Sequence, residues 1–128
     1  MTSPAKRRAH VVGLGLIGAS LAMALRDAGW DVTGSDIDEH VLNDALREQV
    51  ISGTVMTAEH ELAFIATPAG TVSAIANALL SDFEVGPLIV SDVAGVKSSI
   101  VHEVSDPRFI GGHPMAGSEL RGLKGAKA

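Results

Sequence analysis

The chain has 128 residues, enough for one ordinary domain with a single core, and its formal charge of -5 disfavours nucleic acid as a partner, because a phosphate-binding face would be basic. No cysteine is present, which excludes a disulfide framework, a thiolate metal site and a thiol nucleophile, and makes the cytoplasm the expected location. With 46% hydrophobic but only 3% aromatic residues, the core must be built from Ala, Val, Ile and Leu, as suits helices packed closely on a parallel sheet.

The opening "MTSPAKRRAH" is basic and reads as a solvated N-terminal arm, and no segment of the chain approaches the ~20 uninterrupted apolar residues of a membrane span. An apolar run from His10 to Val12 predicts the first strand. Three glycines follow, and Ile17, Leu21, Ala24, Leu25 and Ala28 at helical spacing predict a helix closed by Gly29. "DVTGSD" predicts a second strand ending at Asp36. Asp38 then suits the N-cap of a helix whose apolar face is Val41, Leu42, Ala45, Leu46 and Val50, ended by Ser52-Gly53. A weak strand is expected at Thr54 to Thr57 and a strong one at Leu62 to Ala66, stopped by Thr67-Pro68. Val72, Ile75, Ala76, Leu79 and Leu80 predict a third helix, Leu88 to Ser91 a buried strand, Lys97 to Val104 a shorter helix, and "RFIGGH" a last strand. Strands and helices alternating across short connections predict an α/β fold with a Rossmann-type, doubly wound parallel sheet.

Gly13, Gly15 and Gly18 form G-x-G-x-x-G, a weak signal by itself in a chain with 14 glycines. Placed between a strand and a helix, it becomes specific: the first Gly permits the tight turn, the second lets a pyrophosphate approach the backbone, and the third lets helix and strand pack closely. The phosphates would then meet free N–H groups at the helix start, where Leu16 and Ile17 complete the candidate cofactor-binding turn. Asp36 lies eighteen positions after Gly18, close to the roughly 20-residue offset of a carboxylate that accepts from the adenosine ribose. It favours NAD, since it would repel the extra phosphate of NADP and Ile37, Asp38 and Glu39 supply no cation to bind one. Thr67 and Pro68 end a strand at the carboxyl edge of the sheet, where such ligands bind. The five histidines, His10, His40, His60, His102 and His113, stand in no ligand spacing, so no metal is expected.

"GLGLIG", "SDID", "ATP", "DVAGVK" and "HPMAGSE", in that order, resemble the nucleotide-binding domain of the prephenate and arogenate dehydrogenases of tyrosine biosynthesis, and the resemblance spans nearly all of the chain. It implies oxidative decarboxylation of prephenate or arogenate by hydride transfer to NAD. It also implies His113 as the catalytic group that takes up the substrate hydroxyl proton, a task suited to an imidazole with a pKa near ~6.5. Ser118, Glu119 and Lys97 are implied on the substrate side. Two departures stand out: Gly95 occupies a position where the family usually has Ser, and the stretch before "ELAFIATP" is shorter than usual, which would trim a helix or strand there. The family's all-helical C-terminal domain, expected to hold substrate-binding basic residues and most of a homodimer interface, has no counterpart in these residues. Residues 1–128 therefore read as one NAD-binding domain, incomplete at its C-terminal end, expected to bind NAD without turning over either substrate alone. Two other readings stay open at this point: a non-catalytic NAD-binding module, and the NAD(P) domain of a β-hydroxyacid or imine-reductase type dehydrogenase.

Overall fold

The computed structural model describes residues 6–93, 104 and 106–111. In chain order the elements are β1 (Arg8–Val12), α1 (Leu16–Asp27), β2 (Asp31–Ser35), α2 (Glu39–Arg47), β3 (Leu62–Ile65), α3 (Ala69–Asp82), β4 (Ile89–Asp92) and β5 (Phe109–Ile110). The strands pair in parallel in the order β2-β1-β3-β4-β5.

Side chains alternate across each strand, and the two faces carry two cores. Ala9, Val11 and Val32 pack against Leu21, Ala22 and Leu25 of α1 and Ala45 of α2. On the other face Ala63, Ile65 and Val90 meet Val72, Ala76 and Leu80 of α3. Helices therefore cover both faces, as a doubly wound sheet requires. Burial of each larger aliphatic side chain supplies about 1.5–3 kcal/mol of the driving force.

The helix ends follow from backbone chemistry. After α1, Gly29 takes a φ of 98°. Its N–H donates to the Arg26 carbonyl at 2.9 Å while the Trp30 N–H donates to Leu25 at 3.0 Å, a Schellman turn. The same turn closes α2 earlier than its apolar pattern predicts, at Arg47 instead of near Val50. Gln49 adopts the left-handed conformation (φ 62°), and the Val50 N–H reaches back to the Ala45 carbonyl at 2.8 Å. Val50 still packs on the core, as the residue after the turn. At the end of α3, Arg108 donates to the carbonyls of Leu80 (2.8 Å) and Phe83 (2.6 Å) and pairs with Asp106 at 2.8 Å.

The strand expected at Thr54 to Thr57 does not form. The chain touches the edge of β2 through a single bridge, Thr33 to Gly53, with Ser52 N–H on the Val32 carbonyl at 2.8 Å. Beyond it Thr54 and Val55 are exposed in succession and Met56 and Thr57 half-buried in succession, so burial does not alternate as a strand requires. The basic arm is also corrected. Arg8 opens β1, and Arg7 bonds Glu61 at 2.9 Å with its guanidinium 4.4 Å from the Trp30 ring centre. The strand expected at Leu88 to Ser91 forms one residue later, and within "RFIGGH" only Phe109 and Ile110 are in a strand. The helix expected from Lys97 lies outside the described residues, apart from Val104, which is not helical.

Candidate dinucleotide-binding site

From β1 the chain runs through α1 to β2 on one side, and from β3 through α3 to β4 on the other. The two loops part above adjacent strands and open a crevice of about 510 Å³ at the carboxyl edge. Gly13, Gly15, Ser35, Asp36 and Ile37 line one side, and Ala66, Thr67, Pro68, Thr71 and Ile75 the other.

The three glycines serve three different needs. Gly13 has a φ of 93°, and a Cβ there would lie 2.7 Å from the Ala66 carbonyl oxygen. A Cβ on Gly18 would lie 1.7 Å from the Gly13 carbonyl oxygen, so that residue lets α1 approach the turn. A Cβ on Gly15 would meet nothing within 4 Å. Packing of the chain explains Gly13 and Gly18 but not Gly15, which borders the crevice and leaves open space there. Gly15 is also the N-cap of α1 and makes no side-chain cap, and the first turn holds no acidic residue. The N–H groups of that turn are thus available to an anion, with the helix dipole adding to the attraction. Leu16 and Ile17, 87% and 55% exposed, do not line the crevice, so what they can offer a ligand here is their backbone.

Asp36 proves to be a fastener as well as a candidate ligand. One carboxylate oxygen accepts the Leu14 N–H at 2.7 Å, between the first two motif glycines, and the other accepts the Asp38 N–H at 2.8 Å. Each oxygen keeps a free lone pair for a further donor. Asp38 caps α2 as expected, accepting from the His40 N–H at 2.9 Å. Across the crevice the Thr71 hydroxyl donates to the Pro68 carbonyl at 2.7 Å, so the Thr67 hydroxyl, 2.7 Å from that of Thr71, must donate to it. Pro68 thereby begins α3 as well as stopping the strand. His113, Ser118, Glu119, Lys97 and Gly95 lie outside the described residues.

Beneath this rim lies a buried polar network that no motif announces. His10 and His60 are 4% and 1% exposed, with ring centres 6.0 Å apart, and Thr33 stands between them. Burial, with His60 nearby, pushes the His10 pKa down to about 4, and burial lowers that of His60 too. The overlooked signal was the alternation of Asp31, Thr33 and Ser35, a polar stripe on one face of a strand whose other face is apolar. A second depression, of about 440 Å³, lies near Arg26, Trp30, Leu46 and Gln49.

A family model for the nucleotide-binding domain of prephenate dehydrogenase matches residues 21–128. The chain belongs to this family. The prephenate dehydrogenase of Lactococcus lactis subsp. cremoris (strain MG1363) is 33% identical over 129 residues, covering 91% of this chain and 36% of that protein. The structure of prephenate dehydrogenase from A. aeolicus in complex with hydroxyphenyl propionate and NAD+ matches with a TM-score of 0.75 and 27% identity, over 91% of this chain and 44% of that one. Synechocystis arogenate dehydrogenase matches with a TM-score of 0.71 and 32% identity, over 84% of this chain and 40% of that one. The chain thus spans less than half the length of these prephenate and arogenate dehydrogenases. Membership in the prephenate dehydrogenase family sets aside the β-hydroxyacid and imine-reductase alternative. Among the described residues no helix is long and apolar enough to cross a membrane, and no group of three or more His, Cys, Asp or Glu is placed to hold a metal ion.

Proposed function

We propose that this chain is the cofactor half of an NAD-dependent prephenate or arogenate dehydrogenase of tyrosine biosynthesis. The observation that carries the cofactor reading is Gly15, whose missing side chain opens onto the crevice beside an uncapped helix start. In this reading the pyrophosphate lies on the first turn of α1, Asp36 accepts from the adenosine ribose, and Ile37 and Ile75 offer apolar walls to the base. NAD, when bound, supplies the hydride acceptor. His113, carried over from the family motif, takes the proton of the substrate hydroxyl as the hydride leaves. Ser118, Glu119 and Lys97 face the substrate on the same ground. The reading extends to a cytoplasmic enzyme with small-molecule and not nucleic-acid partners, consistent with the charge of -5, and to a homodimer of the whole enzyme.

Calorimetric titration of the 128-residue chain with NAD and NADP tests the cofactor assignment. NAD should bind tighter by about tenfold or more, since the Asp36 carboxylate repels the extra phosphate; tighter NADP binding would refute it. In the same preparation, NADH formation from prephenate or arogenate should be absent, because the residues assayed span only 36% to 44% of relatives named as the enzyme. Turnover by these residues alone would overturn that part of the reading.

A further inference from the structure

The buried network has a direction, and it can be worked out one proton at a time. His60 Nδ1 receives the Thr57 backbone N–H at 3.0 Å, and the Thr57 hydroxyl also stands 3.3 Å from it. A backbone amide only donates, so Nδ1 carries no proton and the hydrogen of neutral His60 is on Nε2. That Nε2–H donates to Thr33 Oγ1 at 2.9 Å. Thr33 has one hydroxyl hydrogen and two acceptors in reach: His10 Nδ1 at 2.6 Å and the Ala9 carbonyl at 3.5 Å. The shorter contact lies within the range of an O–H hydrogen bond and the longer one outside it, so the hydrogen goes to His10. His10 must then carry its own proton on Nε2, which donates to Ser35 Oγ at 3.1 Å. Ser35 receives at its oxygen and is left with its hydrogen to give. It lines the crevice next to Asp36.

We propose that Ser35 is a cofactor-binding residue whose hydroxyl donates to a ribose hydroxyl of NAD, its direction set by the chain Thr57, His60, Thr33, His10. This rests on the cofactor reading above. A ribose hydroxyl that accepts from Ser35 and donates to Asp36 completes a run of hydrogen bonds all pointing one way, from a backbone amide to a carboxylate. Each member of such a run polarises the next. His10 and His60 are positioning residues here, acting only through Ser35.

Two measurements test this. Nitrogen-15 chemical shifts of the imidazoles in the ligand-free chain at neutral pH should show Nε2–H for both histidines. A proton on His10 Nδ1 would overturn the proposal, because Ser35 would then point its hydrogen inward. Calorimetry with NAD and with its adenosine 2′-deoxy and 3′-deoxy analogues supplies the second. Ser35→Ala should weaken NAD binding about fivefold, one hydrogen bond's worth, with Ser35→Thr restoring it to within about twofold. The Ser35→Ala loss should vanish for one of the deoxy analogues. Unchanged NAD affinity in Ser35→Ala overturns the proposal, as does an equal loss with all three ligands, the mark of a merely structural serine. Absence of NAD binding by the unmodified chain removes the cofactor reading and Ser35's acceptor with it, while the chemical shifts still report the direction of the network.

Discussion

Of the three motif glycines, Gly13 and Gly18 are demanded by the packing of the chain and Gly15 is not. Gly13→Ala places a Cβ at positive φ and 2.7 Å from a carbonyl oxygen, and Gly18→Ala places one at 1.7 Å from another, so either should destabilise the chain by about 3 kcal/mol or more in urea titrations. Gly15→Ala touches nothing within 4 Å. It should leave stability within about 1 kcal/mol of the original and weaken NAD binding by about tenfold. Should Gly15→Ala bind NAD undiminished, the pyrophosphate does not lie where we place it. Asp36→Ala should show both effects at once. Weaker NAD binding should come with a loss of about 1–2 kcal/mol in the ligand-free chain, because the Leu14 and Asp38 N–H groups lose their acceptor. The glycine spacing and the place of Asp36 were legible in the sequence because a strand, a tight turn and a closely packed helix leave few other patterns, with Gly13 and Gly18 each demanded by a neighbouring carbonyl. That Asp36 also fastens the loop was not, since a contact between residues 14 and 36 has no local pattern.

At the scale of elements, what the sequence hid was conformational. Helix α2 ends at Arg47 and its closing turn is made by Gln49, a residue that seldom adopts positive φ, so no glycine marks the end and the apolar period continues to Val50. Gly29, with φ 98°, does mark the end of α1 in the sequence. A direct consequence is that Gln49→Gly should stabilise the chain by about 0.5–1 kcal/mol, the relief of left-handed strain less the added chain entropy. Its thermal midpoint should rise, and a fall would mean that the Gln49 side chain does more than tolerate the turn. Asp38→Ala removes the cap on the His40 N–H and should cost about 1 kcal/mol by the same measurement. The weak strand before β3 failed for the opposite reason: its residues suit a strand one by one, but Thr54 and Val55 both face solvent, so burial does not alternate to reward pairing.

For the molecule as a whole, the buried histidines make stability depend on pH. Folding holds the His10 pKa at about 4, against 6.5 for the free side chain, so the unfolded chain binds more protons throughout that interval. Stability should be full above pH 6.5 and fall as pH drops toward 4, with a total loss of about 3 kcal/mol from His10 and a further loss from His60 in the same direction. Urea midpoints measured between pH 4.5 and 7 check the sign; a flat profile would mean the network takes up protons without opening. The doubly wound architecture itself was legible, because alternation of strands and helices over short connections leaves few topologies. The fastening of the Gly-rich loop by Asp36 has one more consequence, for descent and design. On the role proposed for Asp36, a lineage that exchanges NAD for NADP discards the carboxylate, and with it the anchor of Leu14. Any successful replacement has to bring its own acceptor for that amide, so cofactor preference in this domain changes as a loop, not as a single letter.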